Sequence, residues 1–572
     1  MGVSHRHVAP CVIVATVFLL LPLAKYLSLH STIFDLGLFV SFHHRIAILS
    51  EWQSAFSGHA QIFSLPYAMV YRHFPSDTGV YFLIGSQALL LLLPAYCLLR
   101  RYGVFAAFAY IAYIPVWVNA HFDFHFDHLA VPLLLAFYWA LVGRRVGWAV
   151  VSATLLMLVK EPFALQTAAC GALLLWAGIR GGSIWGRGNE FASRGQLLLG
   201  AIWLLGIGVA YFYFATHSLF PYFSPDGGRG GLDGEGFGWL GRSLSEMLLT
   251  LVSKPHIILW EIITTPGKLY YLAVTFGSIL FISFFRPVFL IPAIPLLGIS
   301  MLSDFKNYYD YNTHYTAGLI IPVIFSFIYG LPRAHGLWMM GAKWLCRKTS
   351  DVRAALQSRA IIVPHPSPLP AGEASHDAVA AMEMRLSKVF YVLLALWILS
   401  WHVMLSPSPI SRLFWSDKVW SFSGQAYVPT DREVTMKEAM LKYIPADPEV
   451  SVASQNTVNW EHLARRRIYV AFPNGVTEPM KVVTHPNQTL GGFWRFARTG
   501  EKPLALTHGR YADYVVLDLK RPWFIADKGC EWIYGECRDK AIAQEFLDLV
   551  SKTEARYETL FEYDGFMILR RR

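Results

Sequence analysis

The chain has 572 residues, of which 54% are hydrophobic and only 15% charged, and its formal net charge is +10. Soluble domains carry about 25% charged residues, so this composition excludes an ordinary soluble protein and points to an integral membrane protein. The modest basic excess accompanies no nucleic-acid-binding motif, which sets aside a nucleic-acid partner.

A helix that crosses a bilayer needs about 20 apolar residues. Runs approaching that length lie at 9–28, 79–99, 103–119, 129–143, 146–160, 163–179, 196–217, 268–285, 287–303, 315–332 and 388–405. They predict a membrane α-helical bundle of about 11 transmembrane helices. The first run lacks a small-x-small cleavage site ("LLLPLAKYLSLHS") and reads as a retained helix rather than a signal peptide. Arg6, Arg100, Arg101, Arg144, Arg145, Arg180, Arg187, Arg194, Arg286 and the basic 333–388 segment fall on one side if every run spans. By the positive-inside rule that side is cytoplasmic. The N-terminus is then cytoplasmic, and the last helix delivers the tail outside.

Four segments follow: a polytopic membrane domain over 1–333, a flexible cytoplasmic loop over 334–387, the last transmembrane helix over 388–405, and an extracytoplasmic α/β domain over 406–572. The loop is rich in proline and alanine ("VPHPSPLPAGEASHDAVAA") and has no apolar period. In the tail, alternating stretches "VSVAS", "RIYVAF", "YVVLDL" and "GFMILRR" predict strands, and "DREVTMKEAMLKYI" and "AIAQEFLDLVSKTEARYETL" predict helices. Cys530 and Cys537, in "CEWIYGEC", would form a disulfide in that compartment; the alternative is two free thiols.

Ionisable residues gather on the outer loops, where proximity to hydrocarbon makes them costly and marks a site. The first loop holds Asp35, His43, His44, Glu51, His59 and Asp77. Its stretch 35–56 has an apolar face at helical spacing and would lie flat on the membrane surface. The second loop is "HFDFHFDH". Extended, it points His121, Asp123, His125 and Asp127 one way; helical, it puts His121, His125 and His128 on one face and Asp123 with Asp127 on another. Either arrangement gathers His121, Asp123, His125, Asp127 and His128 as ligands for a divalent cation: zinc if histidines dominate, magnesium or manganese if carboxylates do. The plain alternative is a solvated helix end with interfacial phenylalanines. Lys160 and Glu161, in "VKEPF", either neutralise each other at a turn or leave Lys160 to hold a phosphate as a point charge. The fourth loop, 218–267, is glycine-rich at first and then amphipathic ("LSEMLLTLVSKPHIILWEII"). His314 and Tyr315, in "SDFKNYYDYNTHY", are interfacial residues or part of the same site.

"FDLGLF", "FDFHFDHLAVPLLLAFY" and "LLMLVKEPFAL" resemble the successive signatures of an uncharacterised bacterial membrane-protein family, domain of unknown function 2079. The tail segment "VSVASQNTVNWEHLARRRIYVAFPNG" resembles that family's outer domain. The family is in turn similar to the type-C glycosyltransferases, polytopic enzymes that take sugar from a lipid-phosphate donor and place a carboxylate in the first outer loop. The resemblance implies a bacterial inner-membrane enzyme that moves a sugar from a polyprenyl-phosphate donor to an extracytoplasmic acceptor. Asp35 matches the first-loop acid, Asp123 and His125 the "DFH", and Lys160 and Glu161 the "KE". Asp35, Asp123 and His125 are then the catalytic candidates, and Lys160, Glu161, His59, His314 and Tyr315 the donor-phosphate candidates. Leu36 follows Asp35, a departure from type-C enzymes with two adjacent acids there. A transporter or flippase of a lipid-linked or polar solute, and a non-catalytic membrane scaffold, are the competing classes. Transporters usually carry internal repeats and charges at mid-membrane; no repeat is visible here.

Overall fold

The structure is a computed structural model that describes residues 8–56, 58–180, 193–224, 236–360, 376–415, 427–484, 488–502, 504–520, 532–533, 536–537 and 540–572. Among the described residues, five helices are long and apolar enough to cross a membrane: Asp77–Tyr102, Pro162–Ile179, Arg194–Phe223, His314–Leu345 and Ala381–Leu405. Two bent pairs raise the number to seven if each is one span. Val104–Ile111 with Ile114–His121 bends by 52°, and Ser245–Ser253 with Pro255–Thr264 by 86°. Pro115 and Pro255 sit in the first turns after these bends, where a missing N–H is tolerated but a preceding helix cannot continue unbroken. Shorter apolar helices cover Ile13–Leu27, Phe126–Val142, Val146–Leu156 and Pro287–Leu302.

We number the first helices α1 (Val8–Leu27), α2 (Leu38–Ala47), α3 (Ser64–His73), α4 (Asp77–Tyr102), α5 (Val104–Ile111), α6 (Ile114–His121), α7 (Ala130–Val142), α8 (Val146–Leu156), α9 (Pro162–Ile179) and α10 (Arg194–Phe214). Most expected runs coincide with helices. The run 268–285 does not hold as one helix: it passes from Pro266–Leu272 into a π-turn and breaks at Leu280 and Phe281, both with positive φ. The amphipathic part of the fourth loop forms the sharply bent apolar pair. Its Leu249, Val252 and Trp260 are each more than 60% exposed, as lipid-facing side chains are.

The segment 334–387 is not a simple flexible loop. One helix runs unbroken over Ala317–Ala360 and another over His376–Leu405. They are tied by an ion pair of Lys343 with Glu383, by Trp338 Nε1 donating to Leu386 O at 3.1 Å, and by His335 Nε2 with Ser387 Oγ at 3.0 Å. Pro364, Pro366, Pro368 and Pro370, which suggested a loop, all lie in 361–375, outside the described residues.

The C-terminal region carries a five-stranded sheet ordered β2-β1-β5-β9-β8, with β1 Val452–Ser454, β2 Tyr469–Ala471, β5 Tyr514–Asp518, β8 Tyr557–Tyr563 and β9 Phe566–Arg571. β1 pairs in parallel with both β2 and β5, and β9 pairs antiparallel with β5 and β8. Two two-stranded ladders accompany it, β3 (Met480–Thr484) with β4 (Leu506–Arg510) and β6 (Trp532–Ile533) with β7 (Glu536–Cys537). Strand alternation divides the sheet's side chains cleanly. Ala453, Val515, Leu517, Met567 and Leu569 pack with Phe546 and Val550 of the helix Lys540–Glu554. Val452, Val516, Phe566 and Ile568 join one continuous core with α1 to α9. The sheet therefore shares its core with the helical bundle.

The helix expected over 541–560 ends at Glu554, and residues from Tyr557 onward enter β8. That strand has a sequence signal of its own. Tyr557, Thr559, Phe561 and Tyr563 alternate along it, and Asp564–Gly565 turns the chain into β9 with φ of +49° and +80°. The dipeptide is the usual two-residue hairpin signal. The preceding Lys- and Glu-rich run masks it, because those residues favour helix. The helix Asp431–Tyr443 forms as expected, and Thr430 and Glu433 close a capping box at its start.

Candidate active site

α1 ends at Leu27, and the chain turns through Leu29, whose φ is +59°. Thr32 is extended, and a π-turn over Ile33–Gly37 then runs directly into α2. Asp35 sits in that turn. α2 does not lie on a membrane surface as its apolar face suggested. Phe39, Val40, His43, His44 and Ala47 are buried between the bundle and the C-terminal region, where Ser41 Oγ donates to Arg466 O at 3.4 Å. Burial lowers the pKa of His43 and of His44 to about 4, so both imidazoles are neutral at pH 7.

The octapeptide takes neither expected geometry throughout. His121 ends α6, Phe122 and His125 are extended, and Phe126–Leu129 form a 3₁₀ turn before α7. Gln87 of α4 holds the extended part: its Nε2 donates to Asn119 O and Phe122 O at 2.9 and 3.0 Å, and its Oε1 accepts from His125 N at 3.0 Å.

This change of backbone separates the five side chains. Asp123 pairs with Lys25 at 2.9 Å and accepts from Thr32 N at 2.6 Å. His125 Nε2 lies 3.3 Å from Asp35 Oδ1. Asp127 stands 3.8 Å from Lys160 Nζ and 3.9 Å from His314 Nε2. His121 instead stacks between Trp117 and Tyr427, and His128 packs on Phe124 with Nδ1 against His125 O. Among the described residues, no three His, Cys, Asp or Glu side chains form a group that could hold a metal ion. The octapeptide's donor set therefore does not fit the expected divalent cation, because two of its three imidazoles are turned into aromatic packing.

What does assemble is a continuous charged cluster at one end of the bundle. Thr32 Oγ1 lies 2.7 Å from Asp35 Oδ2 and 3.0 Å from Asp123 Oδ2, so one hydroxyl bridges two carboxylates. The rings of His125 and His314 stack at 3.7 Å and 18°, which links the Asp35 end to Asp127. Lys160 lies beyond Asp127 and 5.4 Å from the Tyr315 ring centre. The Asp35 side chain is 23% exposed, against 4% for Asp123 and 6% for Asp127, so it is the most accessible carboxylate of the cluster.

The proton inventory of the Asp35–His125 pair follows from geometry. His125 Nδ1 lies 3.1 Å from Asp123 O, a carbonyl that can only accept. Nδ1 therefore carries a hydrogen, and Nε2 faces a carboxylate. Burial raises the Asp35 carboxyl above its ordinary range; the neighbouring Asp123 charge adds to this, and His125 opposes it.

His59 and Glu161 form a second pair. His59 Nδ1 meets Glu161 Oε1 at 2.6 Å, and Ala60 N donates to Oε2 at 3.2 Å. Both carboxylate oxygens are engaged, so the pair pins the 58–63 loop to the start of α9. A separate cavity of about 610 Å³ opens at the other ends of α4, α7 and α8, lined by Arg101, Tyr102, Trp139, Arg145 and Trp148, and shares no residue with the cluster. The Cys530–Cys537 pairing lies outside the described residues.

Sequence reasoning missed Lys25, Thr32, Gln87 and Asn456. Lys25 and Gln87 carry a signal, being polar side chains within apolar runs. Asn456 accepts at Oδ1 from Ile33 N and Phe34 N, each at 3.1 Å.

Residues 25–368, more than half of the chain, match the family described as predicted membrane protein, DUF2079. The chain belongs to that family. The DUF2079 match begins at Lys25 and contains every cluster residue from Thr32 to Tyr315. No curated protein matches the chain. Similar solved structures include the apo oligosaccharyltransferase of Archaeoglobus fulgidus, with 13% identity and a TM-score of 0.32, covering 89% of this chain and 70% of that one. Another is ArnT from Cupriavidus metallidurans in the apo state, with 14% identity and a TM-score of 0.43, covering 98% and 97%. A third is the Archaeoglobus fulgidus oligosaccharyltransferase AglB in complex with an inhibitory peptide and a dolichol-phosphate, with 14% identity and a TM-score of 0.31, covering 90% and 70%.

Proposed function

We propose that this DUF2079 protein is a glycosyltransferase of the bacterial inner membrane, moving a sugar from a polyprenyl-phosphate donor to an extracytoplasmic acceptor. In this reading the N-terminus is cytoplasmic and the C-terminal α/β region lies outside. The observation that carries it is the cluster itself: an accessible acid–imidazole pair at one end and a buried lysine at the other, joined by two stacked histidines.

Glycosyl transfer from a phosphate donor needs two things. A base must take the proton of the acceptor hydroxyl, and positive charge must meet the phosphate as it leaves. Asp35 is the base. It accepts the hydroxyl proton as the acceptor oxygen bonds to the anomeric carbon, while the bond from that carbon to the donor phosphate oxygen breaks. The electron pair leaves with polyprenyl phosphate, and Lys160 with His314 meets the charge. Attack opposite the departing phosphate inverts the anomeric centre. Asp123, locked by Lys25 and Thr32, holds the geometry.

The test is incubation of the purified protein with radiolabelled polyprenyl-phosphate sugars and a membrane extract as acceptor source. Label should move from lipid to a new product with wild-type protein and not with Asp35→Asn at equal protein level. Full transfer by Asp35→Asn would remove Asp35 from the mechanism. Counter-flow of solute in proteoliposomes, without chemical transfer, would replace this reading with a transporter.

A further inference from the structure

The turn that carries Asp35 begins a helix, and the first N–H groups of a helix have no partners within it. A side chain at the helix start usually accepts from them. Here Thr32 occupies that position, and its side chain makes no such bond. The acceptors come from elsewhere in the chain. Thr32 N donates to Asp123 Oδ2, and Ile33 N and Phe34 N both donate to Asn456 Oδ1. Ile33 N also lies 3.0 Å from Asn456 O.

Asn456 is itself fixed. It lies just after β1, and residues 451–464 are all buried. Gln455 N donates to Val516 O at 2.9 Å, and Gln455 Oε1 accepts from Asp518 N at 2.9 Å, which ties the turn to the end of β5. The approach is close enough to restrict the partner helix. A Cβ on Gly37 would meet Asn459 Oδ1 at 2.7 Å and the Tyr469 ring at 3.1 Å.

We propose that Asn456 is a positioning residue that caps the Asp35 turn, so that the C-terminal region completes the active site. The catalytic part of this inference rests on the reading of Asp35 as the base; the structural part does not. Asn456 accepts from the backbone N–H groups of Ile33 and Phe34 and acts on Asp35 only through them. It fixes the backbone just before Asp35, and through it the distance to His125.

The experiment uses the full-length protein in detergent. Carbodiimide labelling of Asp35, read by mass spectrometry with Glu51 as the internal reference, is compared in wild type, Asn456→Ala, Asn456→Asp and Gly37→Ala. Asn456→Ala should label Asp35 severalfold more than wild type. Asn456→Asp keeps an acceptor oxygen and should restore the wild-type level. Gly37→Ala, which forces the two segments apart, should reproduce the increase and decides the matter if Asn456→Ala does not fold. In the transfer assay Asn456→Ala should lower kcat about 10- to 100-fold with donor KM little changed, as expected for a misplaced reacting group. Unchanged Asp35 labelling in folded Asn456→Ala or Gly37→Ala would overturn the proposal. A wild-type protein that transfers no sugar would remove the glycosyltransferase reading and leave the labelling comparison to judge the cap.

Discussion

Of the histidine–carboxylate pairs near this end of the bundle, Asp35–His125 and Glu161–His59 are built for opposite ends. Asp35 meets His125 at 3.3 Å with its side chain 23% exposed. Glu161 meets His59 at 2.6 Å with 9% exposure. Burial raises both acids. At Asp35 it prevails, helped by the charge of Asp123. At Glu161 the charge and hydrogen bond of His59 and the charge of Lys160 outweigh it and hold the carboxyl at about 2. A carboxylate at about 2 is a poor base at neutral pH; one raised above its ordinary range is a better one. The same two residue types thus give a reactive pair and a clamp, according to how many donors reach the acid.

The largest expected effect separates the pairs by activity. Asp35→Asn should lower transfer about 10²- to 10⁴-fold, the range for loss of a positioned base. Glu161→Gln keeps an acceptor for Ala60 N and should lower kcat far less. Equal losses in the radiolabel assay would make the two pairs functionally alike and break the comparison. Next in size is Lys160→Met, expected to lower kcat about 10²-fold by removing charge at the leaving phosphate. Lys160→Arg keeps the charge and should retain more activity. Equal activity of Lys160→Met and wild type would place the phosphate elsewhere.

The clamp was legible only as a list of residue types. "KE" advertises two charges, but nothing local says that Glu161 turns to His59, 102 positions earlier. The octapeptide was legible because five titratable side chains beside apolar runs are costly. Its five side chains do not share one face as either a strand or a helix would arrange them, because Gln87 holds the backbone extended at His125 and Phe126–Leu129 then turn as a 3₁₀ helix. Transmembrane runs were legible by length and apolarity, whereas the helix over Ala317–Ala360 was obscured by the proline cluster that begins only after it ends. Asn456 lies in a tail segment that the family resemblance marks, but its contact with the Asp35 turn was out of reach, since its partners lie more than 420 positions away.

Acid stability sharpens the contrast from the other side. Glu161 falls from an ordinary 4.5 to about 2 in the folded protein. Such a group stabilises the fold fully above about pH 4.5, and that contribution is lost as pH falls toward 2, with a size on the order of 3 kcal/mol. Thermal unfolding in detergent should therefore show Glu161→Gln melting below wild type at pH 6 and approaching it at pH 3. A constant difference across that range would mean that Glu161 does not hold its depressed value.

The smallest effect tests whether burial alone makes an acid reactive. Glu461 lies outside the cluster, accepts from Tyr71 Oη at 3.1 Å and pairs with Arg465 at 2.9 Å. Burial raises it to about 7, against the opposing charge of Arg465. A raised acid favours the fold fully below its unfolded value near 4.5, and that advantage is lost as pH rises through 7. Arg465 is 31% exposed, so solvent screens the pair and the expected effect is at most about 2 kcal/mol. Glu461→Gln should flatten the fall in melting temperature between pH 5 and 8 while sugar transfer stays near wild type. If Glu461→Gln instead stopped transfer as Asp35→Asn does, a raised carboxyl would no longer single out Asp35, and its contacts with His125 and Thr32 would lose their claim to the chemistry.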